Sequence, residues 1–208
     1  YDVGTFTDFQ VEIKTRPGER VRQRQRTHSR HALEAADELI ENMTRYGILE
    51  PAPPDTEYST NYVIQAKGSK RLKSRADKHA ARKARDPHTL DKATKYRYLC
   101  DFSDLNKISI GMAKPAFPTI EALHMKQNTN FKDPAIFKLD IANSFFSLVL
   151  KRSSRPKTAI WHRHKLYMLT RCPQGWLNSS QFQALALAIT FSKDTLNAFE
   201  KIHPEFDK

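Results

Sequence analysis

Asp140 closes the short apolar run Ile136-Phe137-Lys138-Leu139, and the aromatic pair Phe145-Phe146 follows close behind it. A carboxylate at the end of a strand with aromatic rings nearby suits a divalent metal held beside a nucleotide sugar. Magnesium takes oxygen ligands and is commonly held by one or two protein carboxylates together with substrate phosphates. Taken alone, an Asp after an apolar strand is more often a turn or cap residue. Two further blocks stand beside it in the sequence: Arg97-Tyr98-Leu99-Cys100-Asp101-Phe102-Ser103-Asp104-Leu105-Asn106-Lys107 upstream, and Arg171-Cys172-Pro173-Gln174-Gly175-Trp176-Leu177-Asn178-Ser179-Ser180 downstream.

The elements that must position these residues show in the hydrophobic pattern. Phe9, Val11 and Ile13 alternate with polar residues and predict a half-buried strand, turned at Pro17-Gly18. Arg20, Arg22, Arg24 and Arg26 then alternate with Val21, Gln23 and Gln25, so an extended chain puts the guanidinium groups on one side, as a solvated edge strand or a phosphate-facing one. Ala32, Leu33, Ala36, Leu39, Ile40 and Met43 recur at helical spacing and Gly47 supplies the stop. Tyr62–Ala66 predicts the next strand. Pro115 and Pro118 flank a loop that leads to the helical pattern Ile120, Leu123, His124, and the strand over 136–139 delivers Asp140. Phe145 to Leu150 reads as a helical turn or a strand. Lys157 to Trp161 and Leu166 to Leu169 read as a hairpin. Phe182, Leu185, Ala186, Ile189, Leu196 and Phe199 predict a long amphipathic helix capped by Ser179 or Ser180.

A chain of 208 residues with 39% hydrophobic composition has enough apolar material for a substantial core. No apolar run approaches the roughly 20 residues that span a bilayer, so no membrane association is expected. The start, Tyr1-Asp2-Val3-Gly4, carries neither an initiator methionine nor a signal-peptide pattern, and the expectation is a piece of a longer chain. Two cysteines, Cys100 and Cys172, suit a reducing intracellular setting, a cytoplasmic particle or the nucleus, and read as small core residues. The net charge of +12 points to a polyanionic partner. Ten Lys/Arg and three Asp/Glu fall between Lys70 and Lys95, a net +7 in one segment. Lys70, Arg71, Lys73, Arg75, Arg82, Lys83 and Arg85, with Arg22, Arg24 and Arg26, are the candidate nucleic-acid contacts. The segment also reads as a solvated basic loop or a nuclear localisation signal.

In order and separation the three blocks closely resemble the fingers and palm of a reverse transcriptase of the retrovirus and gypsy-type LTR-retrotransposon group. The stretch from Val21 to Glu50-Pro51 resembles the segment before the fingers in the same elements. The resemblance implies an α+β fold: polymerase fingers and a partial palm, an antiparallel sheet with packed helices. It divides the chain into fingers over 1–110 with a basic insertion over about 68–95, palm over 111–147, returning fingers over 148–178 and a second palm segment over 179–208. In the family the strand Tyr62–Ala66 pairs, after a tight turn, with the one beginning at Tyr96; here the connection runs from Lys67 to Lys95.

The activity implied is template-directed deoxynucleotidyl transfer with two divalent ions, Mg2+ or Mn2+, acting on an RNA or DNA template-primer and a deoxynucleoside triphosphate. By resemblance Asp140 and the carbonyl of Ile141 hold metal, and Arg97 contacts the triphosphate with its planar fork of donors. Lys67 and Lys95 are candidates for an assisting lysine. Phe145, with Ser144 beside it, takes the position of the aromatic plate under the incoming sugar that leaves no room for a 2′-hydroxyl. Gln174 matches the residue near the sugar 3′-hydroxyl, and Gly175 lets the backbone approach the template-nucleotide pair without a Cβ in the way. Two departures stand out. Ser179-Ser180 replaces the usual small-Pro pair, with a shorter spacing from Pro173 to Phe182. The Tyr-x-Asp-Asp motif that supplies the second and third carboxylates is absent up to Lys208, where Asp194, Glu200, Glu205 and Asp207 lack its context.

The 208 residues are therefore expected to be inactive alone, the remaining polyprotein domains lying in a parent chain. The alternative is a non-catalytic nucleic-acid-binding relic or host-adopted relative. His162 and His164 invite a metal reading if they share a strand face, but no third ligand lies near them in sequence. Trp161, Trp176 and Tyr167 are candidates for base stacking or for packing.

Overall fold

The computed structural model describes residues 4–66, 96–113, 141 and 143–192. Asp140, Lys67, Lys95, the basic residues from Lys70 to Arg85, the helical pattern at Ile120 and the strand over 136–139 lie outside them, as do Leu196 and Phe199. In chain order the main elements are β1 (Phe6–Val11), α1 (Arg30–Arg45), β2 (Leu49–Pro51), β3 (Tyr62–Ala66), β4 (Tyr96–Cys100), α2 (Ser103–Ile108), β5 (Leu148–Leu150), β6 (Ile160–His162), β7 (Lys165–Leu169) and α3 (Ser179–Thr190). Two 3-10 helices, Ser144–Ser147 and Arg152–Thr158, flank β5. The class is mixed α and β, compatible with α+β. β2-β7-β6 and β3-β4 form small antiparallel sheets. β1 and β5 instead pair in parallel, which a direct hairpin could not produce and the long intervening chain allows.

Helix α1 starts where the sequence supplies a cap: Ser29 is extended and its side chain accepts from the Ala32 N–H. It buries Ala35, Ala36 and Ile40. It ends in a left-handed Gly47 (φ 65°), with the Gly47 amide donating to the Thr44 carbonyl (3.0 Å) and the Ile48 amide to the Met43 carbonyl (2.8 Å). That pair of bonds is a Schellman stop, closed by buried Ile48.

β3 and β4 form the predicted pair, in register from Tyr62 opposite Cys100 to Ala66 opposite Tyr96. The period of two puts Tyr62, Ile64 and Tyr98 on the packed face, and Val63, Gln65 and Arg97 on the exposed one. The hairpin predicted around Trp161 is β6-β7. Its two-residue loop, Arg163-His164, has positive φ at both positions (44° and 63°), the conformation of a type I′ turn. Two bonds of 2.6 Å from Arg163 to Asp37, and one of 3.1 Å from the His164 amide to Gln25 Oε1, hold these non-glycine residues there.

Several expectations are corrected. Lys157 and Thr158 do not belong to the hairpin strand. They end a 3-10 helix that contains Pro156, and the Thr158 hydroxyl both donates to the Arg155 carbonyl (2.7 Å) and accepts from the Leu169 amide (2.8 Å). Neither Ser179 nor Ser180 caps α3, for both lie inside it and Asn178 precedes it. The Ser179 hydroxyl donates to the Pro173 carbonyl instead (2.5 Å). α3 ends at Thr190 rather than continuing towards Phe199. One apolar cluster links the elements, drawing in Val11, Ile40, Tyr62, Leu105, Leu150, Ile160, Cys172, Trp176 and Ala186.

Candidate nucleotide and nucleic-acid interface

The Gln174-Gly175 turn is built from both sides by one side chain. Asn106, on α2, donates from Nδ2 to the Gly175 carbonyl (2.9 Å) and accepts at Oδ1 from the Leu177 amide (2.8 Å). Gly175 has φ 85°, and a Cβ there would stand 3.9 Å from the Cys100 carbonyl, so the backbone angle rather than crowding calls for glycine. Trp176 anchors the turn: it is buried, donates from Nε1 to Ser109 Oγ (3.0 Å) and stacks on Phe182. Gln174 and Gly175 stay exposed.

Asn178 repeats the device one loop away. It accepts from the Met112 amide (2.9 Å) and donates to the Ile110 carbonyl (2.8 Å).

The Phe145 block joins the same assembly through the backbone. Asn143 is left-handed (φ 53°), the Ser147 hydroxyl closes the 3-10 turn on the Ser144 carbonyl (2.7 Å), and Phe145 and Phe146 pack half-buried on the core. The chain then enters β5, where the Cys172 amide donates to the Leu148 carbonyl (2.8 Å) and the Leu150 amide to the Thr170 carbonyl (2.9 Å). Ser144 is half-buried and Ile141 exposed. Arg97 projects from the exposed face of β4 beside Gln65 and forms no ion pair among the described residues. The described members of all three sequence blocks thus belong to one hydrogen-bonded assembly. Asp140, expected as catalytic residue and metal ligand, lies outside the described residues, and among these no group of three His, Cys, Asp or Glu is placed to hold a metal ion.

The arginine strand is extended but does not form a ladder. It has a bridge at Arg22 to Ser59, flanked by bonds from the Gln23 amide to the Ser59 carbonyl (3.0 Å) and from the Ser59 amide to the Val21 carbonyl (2.8 Å). Asn61 holds its end, donating to the Arg24 carbonyl (3.0 Å) and accepting from the Arg26 amide (2.9 Å). The four guanidinium groups are not equivalent. Arg20 pairs with Glu57 (2.6 Å) and Arg26 with Asp101 (2.7 Å), whereas Arg22 and Arg24 are exposed and without a carboxylate partner among the described residues. The Ser103 hydroxyl, then Arg26, hold the Asp101 carboxyl below its usual range. Arg26 is therefore committed to an internal contact, and only Arg22 and Arg24 keep the free, outward charge expected of the set.

The cluster that sequence reasoning missed is centred on His162. It is buried, with Nε2 hydrogen-bonded to Asp37 Oδ1 (2.8 Å) and Nδ1 to the Tyr62 hydroxyl (2.9 Å). The Arg163 guanidinium holds the Asp37 carboxyl below its usual range, and burial pushes the Tyr62 hydroxyl up to about 12. His28 stacks on Tyr62 at 4.5 Å. His164 sits in the turn, off any shared strand face, so the His162/His164 pairing does not exist. Trp161 donates to the Gln23 carbonyl (2.9 Å) and, like Trp176, is a packing residue. Cys100 and Cys172 are free thiols, each pushed up to about 12 by burial. No model of a known protein family matches the chain.

Proposed function

We propose that the chain is the front part of an RNA-directed DNA polymerase domain of the LTR-retroelement type, fingers interleaved with a partial palm. Its activity is template-directed deoxynucleotidyl transfer from a primer 3′-hydroxyl, inside the cell in a cytoplasmic particle or the nucleus. The observation that carries this reading is the Asn106 junction. The block bearing Arg97 and the block bearing Gln174-Gly175, far apart in sequence, meet through two hydrogen bonds of one side chain. The Phe145 block is tied to them through β5.

In this reading the exposed Arg97 fork binds triphosphate oxygens, the fixed turn presents Gln174 and bare Gly175 backbone to the nucleotide, and the packed Phe145 ring excludes a 2′-hydroxyl. The two divalent ions lower the pKa of the primer hydroxyl and neutralise triphosphate charge when bound. The part played by the described residues is binding and positioning. Since the sequence up to Lys208 carries one of three expected carboxylates, the 208-residue chain is expected not to extend a primer. Primer extension that disappears in Asp140→Asn would overturn that expectation. Deoxynucleotide affinity that rises with Mg2+ and falls about tenfold in Arg97→Ala, the loss of a charge-assisted hydrogen bond, supports the reading. Affinity unchanged by the substitution removes Arg97 from it.

The second reading, a non-catalytic nucleic-acid binder, is favoured by the outward charges of Arg22 and Arg24, which no carboxylate among the described residues neutralises. Arg22→Ala with Arg24→Ala is expected to weaken single-stranded RNA binding and to flatten the log-affinity against log-salt slope by about 0.7 for each phosphate no longer neutralised. An unchanged slope would take the strand out of the interface. Tight RNA binding without any nucleotide affinity would favour the binder over the polymerase.

A further inference from the structure

A groove of about 730 Å3 lies between α1 and the β6-β7 hairpin, on residues that neither reading uses. Its helical wall is the stripe Asp37, Ile40, Glu41, Thr44 and Arg45, whose spacings of three and four put them on one face. Its other wall is Arg163, Lys165 and Tyr167, with buried His162 behind.

Most charges in the groove cancel locally. Arg163 is bidentate on Asp37 at 2.6 Å, and Arg45 meets Glu41 at 3.0 Å. Among the described residues Lys165 has no carboxylate partner, and neither the Tyr167 hydroxyl nor the Thr44 hydroxyl is hydrogen-bonded. Between these unused donors the accessible apolar surface is the half-buried Tyr167 ring, with Ile40 buried beneath it.

We propose that this groove docks an acidic peptide segment of a partner protein. An apolar or aromatic side chain rests on the Tyr167 ring, and a neighbouring carboxylate reaches Lys165, with the two hydroxyls donating to peptide oxygens. Charge complementarity selects the occupant. One unpaired cation beside two carboxylates admits a side-chain carboxylate, whereas a phosphodiester backbone would bring a row of charges against Asp37 and Glu41. Shape selects a peptide over a compact ligand. From Asp37 to Arg45 the helical wall runs for roughly 12 Å at about 1.5 Å per residue, which an extended segment of three or four residues covers. Docking here is independent of the polymerase reading, whose residues lie elsewhere.

The test uses the full 208-residue chain, 15N-labelled, titrated with the blocked dipeptide N-acetyl-Trp-Glu-amide and with its charge-reversed counterpart N-acetyl-Trp-Lys-amide. The acidic probe is expected to shift the amide signals of Thr44, Lys165 and Tyr167, and the basic probe to leave them in place. Lys165→Glu, at an exposed position that does not threaten folding, is expected to weaken the acidic probe about tenfold; Tyr167→Phe checks the hydroxyl while keeping the ring. Equal response to both probes, no response at millimolar concentration, or a response indifferent to Lys165→Glu overturns the proposal. So does a single-stranded RNA that perturbs these signals in preference to the acidic probe.

Discussion

An amide side chain set between a backbone carbonyl and a backbone N–H satisfies both at once, and this chain uses that property three times among the described residues. Asn106 fixes the 175–177 turn, Asn178 fixes 110–112 and Asn61 fixes the end of the arginine strand. An apolar residue of similar size would leave each loop with an unpaired donor and acceptor. Asn106→Leu is accordingly expected to cost about 1–3 kcal/mol, towards the low end because water reaches part of the site. Arg97→Ala, at an exposed residue outside the described ion pairs, should stay within about 0.5 kcal/mol. Urea denaturation of the two variants makes the comparison, and equal losses would refute it. These asparagines were not legible as clamps. A sequence shows an asparagine as a turn former, but which distant carbonyl it meets is decided only by the packing of other elements.

At the scale of elements, the sequence was most legible where local chemistry and burial agree. The helix from Ser29 to Gly47 has a capping hydroxyl at one end, a left-handed glycine at the other and an apolar stripe between, and it forms as expected. A Cβ at Gly47 would meet nothing within 4 Å, so Gly47→Ala tests the backbone angle alone. A loss of about 1 kcal/mol in chemical denaturation is expected, from left-handed strain less the entropy removed from the unfolded chain. A neutral result would mean that the stop relies on Ile48 packing instead. Legibility failed where a residue has two local roles open to it. Ser179 and Ser180 look like caps but Pro173 takes the Ser179 hydroxyl, and the β propensity of Thr158 yields to the 3-10 turn set by Pro156.

Across the whole molecule, the His162 cluster joins α1, β3 and the β6-β7 hairpin through residues separated by 100 and 125 positions, a relation no periodicity announces. Its carboxylate Asp37, like Asp101 and Asp104, is held below its ordinary range, by Arg163, by Ser103 then Arg26, and by Lys107 then Gln23 respectively. A depressed carboxyl contributes stability that is full above its unfolded value, about 3.9, and is lost as pH falls through its folded one. Thermal melts from neutral to acidic pH should therefore show a falling acid limb. Asp37→Asn should lower the melting temperature at neutral pH and flatten that limb; parallel curves would acquit Asp37 of any part in it. The pairing of β3 with β4 carries a different kind of consequence. Because its last rung is Ala66 opposite Tyr96, the chain leaves the frame and rejoins it at adjacent points, whatever lies between Lys67 and Lys95. Closure entropy grows only logarithmically with the length of such an excursion. The rung therefore acts as a fixed gate for the excursion, so lengthening or shortening the 67–95 segment is expected to cost little stability and to leave Arg97 in place beside it.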